Sequence, residues 1–215
     1  MIIDDFSGAV EEIARIADSL APFPPVASIS YPGVRRMIGP ADKQAHAYVM
    51  KSCEQAAPFI GGGFGVSSFD LTEASFSVVS TPPSALQPVQ RVPHFDSPDQ
   101  NLLAMLHYLR VPEGSGTAFY RHRSTGIERV SNDNHGELAA SANRELTDSP
   151  PGPGYFSGSG TFFEQIFSVE AVPDRLIIYH GSLLHSGVIP SGMTFSADPR
   201  EGRLTANFFI RGVSE

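Results

Sequence analysis

Apolar side chains return every three or four positions near the start of the chain. In "SGAVEEIARIADSLAPF", Val10, Ile13, Ile16, Ala17 and Leu20 form one stripe, with Ser7 as the N-cap candidate and Pro22 as the stop. This spacing predicts an amphipathic helix. A second helix is expected over "PADKQAHAYVMKSCEQAAPF", opened by Pro40 and closed near Pro58. Beyond it the pattern changes. "GVSSFDLTEASFSVVS" alternates and is rich in Phe, Val, Ser and Thr, and short runs follow: "NLLAMLHYLRV", "GTAFYRHRS", "FFEQIFSVEAV", "RLIIYHG", "HSGVIPS" and "RLTANFFIRG". Gly, Pro and Asp separate them, as they separate strands. Strands following a helical lead predict a mainly β protein with flanking helices (α+β), built as an antiparallel sandwich or barrel rather than a doubly wound sheet. The expected organisation is one domain over residues 1–215, with a helical lead (1–60) and a β core (61–215). From Ser131 to Gly160 the chain is polar and dense in Gly, Ser, Pro and Asn, which predicts a long insertion loop with one short helix around Leu138 to Leu146. Loops of this length are functional or disordered.

Composition narrows the chemistry. The 215 residues are 41% apolar and 18% charged, enough to bury one substantial core. A net charge of -8 and a pI near 5.3 argue against a nucleic-acid or anionic-membrane surface, which needs clustered cations. Asp4, Asp5, Glu11 and Glu12 stand where a signal peptide carries cations, and no apolar stretch approaches bilayer length, so a cytoplasmic protein is expected. Cys53 is the single cysteine, which excludes an internal disulfide and a thiolate metal cluster. Any metal must be held by histidine and carboxylate.

Of the seven histidines, His46 sits in a predicted helix and His135 in the polar loop, both read as surface or satisfied core residues. His107 lies in a strand and has either role. His94 differs, because in "VPHFDSP" Asp96 follows at i+2, and alternate residues of a strand share a face. Further on, "VPDRLIIYHGSLLHSGVIPSG" and "EGRLTANFFIRG" read as a strand, a tight Gly-Ser turn, a histidine opening the next strand, and a strand headed by arginine. That order brings His185 and Arg203 to one barrel mouth. Two histidines and one carboxylate form a facial triad, which leaves three adjacent positions on ferrous iron open.

With those residues in view, the sequence resembles the non-haem iron(II), 2-oxoglutarate-dependent dioxygenases of the prolyl-hydroxylase-like type. The resemblance runs from "IDDF" through "PHFDSP", "LAMLHYL", "GSGTAFY" and "DRLIIYHGSLLHSGVIP" to "RLTANFFI". It implies the double-stranded β-helix, or jelly roll, with Fe(II) held by His94, Asp96 and His185. It implies that 2-oxoglutarate chelates the iron and sets its far carboxylate on Arg203, whose guanidinium meets carboxylates with two parallel hydrogen bonds. Thr205 falls on the same strand face and adds a hydroxyl. Tyr108 and Tyr120 are either further phenol donors or core residues, and Asn207 satisfies neighbouring polar groups. The expected reaction is hydroxylation of a small-molecule or peptide substrate, or a desaturation or demethylation that begins with the same hydrogen abstraction. In the related halogenases a Gly or Ala stands at the carboxylate position, where this chain has Asp96. A homodimer is one assembly the sequence allows.

Arg121, His122 and Arg123 concentrate charge in "YRHRSTG". They form either a solvated hairpin end or a rim that receives an anionic group of the substrate, with the 131–160 segment closing over it as a lid. Two other classes stand beside the oxygenase. One is a cupin-like, non-oxidative metal-binding jelly roll, disfavoured because no pair of close histidines precedes a glutamate. The other is a binding module with a decayed site, disfavoured because His94, Asp96, His185 and Arg203 are all retained.

Overall fold

The structure is a computed structural model and describes residues 1–26 and 31–213. Along the chain come β1 (Ile2–Ile3), α1 (Val10–Ser19), β2 (Gly33–Met37), α2 (Lys43–Phe64), β3 (Ser68–Val79), β4 (Leu102–Arg110) and β5 (Gly116–His122). They are followed by α3 (His135–Asp148), β6 (Phe163–Glu170), β7 (Leu176–His180), β8 (His185–Val188) and β9 (Arg203–Val213). The strands form a six-stranded sheet in the order β1-β7-β4-β9-β3-β2 and a three-stranded sheet in the order β6-β5-β8. All pairings are antiparallel. This is the mainly β antiparallel architecture with flanking helices that the strand pattern predicts, and the jelly roll that the resemblance implies.

The period of two along β9 builds the large sheet's two faces. Leu204, Ala206, Phe208 and Ile210 point to one side, where they join Phe76 and Val78 of β3 and the helices in the main core. Helix α1 contributes Ile13, Ala14 and Ala17, and α2 contributes Tyr48, Val49, Cys53, Ala56 and Ile60. Each large side chain buried there stabilises the fold by roughly 1.5–3 kcal/mol. The other side chains of β9 face the smaller sheet. Tyr108, Phe119, Val169, Ala171 and Ile177 join the two sheets in a separate cluster. Leu138 of α3 packs with Tyr120, Phe163 and Leu184.

One polar network interrupts the helix side of the sheet, and it is complete. Tyr48 donates to His107 Nδ1 (2.7 Å), and His107 Nε2 meets Asp174 Oδ1 (2.9 Å). These partners assign a neutral His107 protonated on Nε2. Burial lowers its pKa, which agrees with that assignment. Burial alone pushes Asp174 up, but hydrogen bonds from Ser7, His107 and Gly8 outweigh it and hold the carboxyl below its usual range. His107 is therefore a satisfied core residue.

Four expectations change. Ser7 does not cap α1: its hydroxyl donates to Asp174 Oδ1 (2.5 Å), and Ala9 takes the cap position. Helix α2 is not closed by Pro58 but runs through it to Phe64, ending at Gly65 with φ +65°. A proline inside a helix costs about 3 kcal/mol, and the last turn is retained by Ile60, fully buried, and Phe64, packed on the core. The lead is not purely helical, because β1 and β2 within it are edge strands of the large sheet. In the 131–160 segment the helix is longer than expected, His135–Asp148.

Candidate metal and cosubstrate site

His94 and His185 meet because their backbones pair. His94 N donates to His185 O (2.9 Å) and His185 N to His94 O (2.7 Å), extending the small sheet by one bridge beyond β8. Two residues on, Asp96 N donates to Gly181 O (2.7 Å), so the carboxylate is held at the end of β7 in the large sheet. A side chain at Gly181 would press on this corner, since its Cβ would meet Leu102 Cδ2 at 3.1 Å and Asp96 Cβ at 3.4 Å. The pairing brings one ligand atom from each of His94, Asp96 and His185 within 4.8 Å of one another. The two imidazole centroids lie 4.5 Å apart, and His185 Nε2 is 3.7 Å from Asp96 Oδ2.

Second contacts set the protonation of this cluster. His185 Nδ1 donates to Leu183 O (2.8 Å), which leaves Nε2 with its lone pair towards Asp96. His94 opens onto the cavity yet is walled in by protein. Burial first, then His185 and Arg35, lower its pKa to about 3, so the ring is neutral and able to ligate. Asp96 is pushed up by burial against the opposing pull of His185 and Arg35. A divalent cation reverses that cost, because it favours the ionised carboxylate. Two imidazoles and a carboxylate that gains from a cation suit a ferrous ion in donor type and number.

The triad opens into a cavity of about 560 Å³ between the sheets, lined also by Arg35, Thr117, Tyr179, Arg203, Thr205 and Asn207. Arg203 is 6% exposed, with its guanidinium 5.6 Å from the Tyr108 ring centre and Nη2 donating to Gly116 O (3.3 Å). Its Nε is buried with no partner among the described residues. Leaving a charged donor unpaired inside a protein is costly, and an incoming carboxylate removes that cost. Thr205 lines the same cavity, and Asn207 donates to its hydroxyl (3.3 Å), the neighbour-satisfying role expected of Asn207.

The remaining expected site residues lie elsewhere. Tyr108 is fully buried, its hydroxyl shared with Thr117 Oγ1 (2.7 Å), so it supports Arg203 and Thr117 from behind the cavity wall. Tyr120 packs on Phe156, and its hydroxyl meets Ser186 Oγ (3.4 Å); it too is outside the lining. The rim expected of "YRHRSTG" is corrected. Arg121 pairs with Glu128 and Glu164, His122 is buried between Thr125 and Glu145 of α3, and Arg123 Nε donates to Gly160 O. None of the three lines the cavity: Arg121 on β5 and Arg123 just past it are exposed, and His122 is turned to α3. A second cation beside Arg203 does line it and was missed: Arg35. Arg35 sits on β2, inside the stretch read as helical lead. The available signal was "YPGVRRMIG", a run bounded by Pro and Gly.

Comparison with known proteins agrees with this architecture. The chain is similar to SnoN, a non-heme alpha-ketoglutarate-dependent epimerase from nogalamycin biosynthesis, with a TM-score of 0.58 and 13% identity over 99% of this chain and 77% of that one. It is similar to apo HygX from Streptomyces hygroscopicus (TM-score 0.55, 13% identity, 99% and 82% covered). It is also similar to the viral collagen prolyl hydroxylase vCPH from Paramecium bursaria Chlorella virus-1 (TM-score 0.52, 14% identity, 99% and 96% covered). At these identities the likeness is one of fold, and that fold is the one implied by the sequence resemblance. No curated protein matches the chain. A model for a family of unknown function, DUF6445, matches residues 1–210, and the chain belongs to that family.

Proposed function

We propose that this member of DUF6445 is an Fe(II)- and 2-oxoglutarate-dependent oxygenase that hydroxylates a small-molecule or peptide substrate. The observation that carries the proposal is the shared cavity: three metal-competent side chains within 4.8 Å, and in the same space a buried guanidinium with an unpartnered Nε. Metal ligands alone suit many jelly rolls. A buried, unsatisfied arginine in the same cavity calls for a carboxylate, and 2-oxoglutarate has one to spare after chelation.

His94, Asp96 and His185 would hold the iron, and Arg203 with Thr205 the far carboxylate. When bound, iron and 2-oxoglutarate together reduce dioxygen with release of succinate and carbon dioxide, and oxidise the second substrate. Leu183 O keeps the proton of His185 on Nδ1, away from the metal position. Tyr108 lies under the guanidinium and its hydroxyl holds Thr117, which fixes the cavity floor before the cosubstrate enters. Asp96 fills the position that is Gly or Ala in the related halogenases, which supports hydroxylation over halide transfer.

With Fe(II), 2-oxoglutarate and isotopically labelled dioxygen, incubation with pooled amino acids, peptides and small metabolites should release succinate in step with a product that carries one labelled oxygen. A chlorinated product would overturn the role given to Asp96. Succinate release unaffected by Asp96→Ala would overturn the triad.

A further inference from the structure

Arg35 is the second cation of the cavity, and none of the roles above uses it. In register, Arg35 of β2 lies opposite Ser77 of β3, which lies opposite Thr205 of β9. Two strand spacings separate Arg35 from Thr205, about 10 Å, so Arg35 and Arg203 are rooted at different places on the sheet. Arg35 lines the same cavity as His94, Asp96 and His185.

Its guanidinium is held in place on two sides. Cζ stands 4.7 Å over the Tyr31 ring, and Nη1 donates to Glu73 Oε1 (3.3 Å). Nε is buried and has no partner among the described residues. With Nη1 engaged, the edge that carries Nε and Nη2 is left to offer two parallel N–H groups, the arrangement that meets a carboxylate. A partly exposed ion pair contributes little to stability, and Glu73 answers only one of the five donors. As a purely structural pair, the arrangement leaves a buried donor unexplained. The adjoining negative charge also selects the ligand, since an Arg–Glu pair is close to neutral and suits a monoanion better than a doubly charged phosphate. Glu73 lines the cavity as well and can accept from a ligand N–H or O–H.

We propose that Arg35 anchors the carboxylate of the primary substrate and that Glu73 accepts from an amino or hydroxyl group of the same molecule, so that the substrate class is a small amino or hydroxy acid. This rests on the oxygenase reading, which supplies the metal and assigns the other anion site to 2-oxoglutarate.

The test uses the full chain with Mn(II) in place of iron and saturating 2-oxoglutarate. Free Mn(II) is first measured by electron paramagnetic resonance, and 2-oxoglutarate affinity by calorimetry. Glycine, acetate and methyl phosphate are then the probes, and Mn(II)-induced broadening of their proton resonances reports binding next to the metal. Glycine and acetate should be broadened more than methyl phosphate. Arg35→Gln should weaken both by about tenfold or more with Mn(II) and 2-oxoglutarate binding not weakened, and Arg35→Lys should retain part of the effect. Glu73→Gln should weaken glycine and spare acetate. Equal broadening in Arg35→Gln, preference for methyl phosphate, or loss of 2-oxoglutarate in place of the probes would each overturn the assignment. Failure of the wild-type chain to bind Mn(II) and 2-oxoglutarate would overturn the oxygenase reading and this inference with it, and it is seen before any probe is added.

Discussion

The two faces of the large sheet are made by the same strands and serve opposite ends. On the helix face, Phe76, Val78, Leu204, Ala206, Phe208 and Ile210 are fully buried, and the one polar network, Tyr48–His107–Asp174, has its hydrogen bonds made. On the cavity face, Arg35, Ser75, Ser77 and Arg203 each carry a buried side-chain donor without a partner among the described residues. All four lie on β2, β3 and β9. Unsatisfied buried groups are few in a stable fold, and their concentration on one face marks where a polar ligand belongs. The helix face has the hydrogen bonds of its polar network made, whereas the unpartnered buried donors among the described residues lie on the cavity face.

Substitutions on the two faces should separate stability from binding. Phe208→Ala, on the helix face, should lower unfolding free energy by about 3–5 kcal/mol in denaturant titration. An effect below about 1 kcal/mol would mean that the cluster around Phe208 is not the main core.

A smaller effect is expected from pH. The pKa of His94 is about 3 in the fold, against 6.5 for the free side chain, so between those values the unfolded chain binds more protons. Stability of the metal-free protein should therefore fall as pH drops below about 6.5, and His94→Gln should flatten that slope. The effect is reduced because the ring opens onto cavity water. An unchanged slope in His94→Gln would assign the acid sensitivity to other groups.

The smallest change is expected at Ser77. Ser77→Ala removes a buried hydroxyl with no partner within hydrogen-bond geometry among the described residues and should leave stability within about 1 kcal/mol, or raise it. A loss larger than that would show that the hydroxyl is already satisfied in the free protein.

The strands of the core were legible because each is a short apolar-rich run, alternating in β3, and Gly, Pro or Asp separates it from the next. The triad was legible for a related reason: His-x-Asp and a histidine after a Gly-Ser turn are local patterns; His94 stands on an isolated bridge to His185 rather than, as expected, in a strand with Asp96, and that bridge brings the ligands together. Two residues of β1 carry no period at all. Arg35 was hidden by its surroundings, since a five-residue strand between two helices reads as a connection, and only pairing with β3 turns its side chain into the cavity. Arg121 and Arg123 failed in the opposite direction. As a charge cluster they stand out in sequence, but Glu128, Glu164 and Gly160 O, which occupy them, are distant or unremarkable in the chain. Helix α2 passed Pro58 because apolar packing at Ile60 and Phe64 outweighed a local stop signal.

No helix among the described residues is long and apolar enough to cross a membrane. The central claim is that His94, Asp96 and His185 hold a metal whose cosubstrate is anchored separately by Arg203. It is tested most directly by calorimetric titration of the metal-free protein under nitrogen, with Mn(II) first and 2-oxoglutarate second. In the wild-type chain 2-oxoglutarate should bind tightly only after the metal, and His185→Ala should abolish metal binding and with it the metal-dependent step. Arg203→Gln should leave Mn(II) affinity unchanged and weaken 2-oxoglutarate by about two to three decades. Wild-type metal affinity in His185→Ala, or undiminished 2-oxoglutarate affinity in Arg203→Gln, would contradict the account.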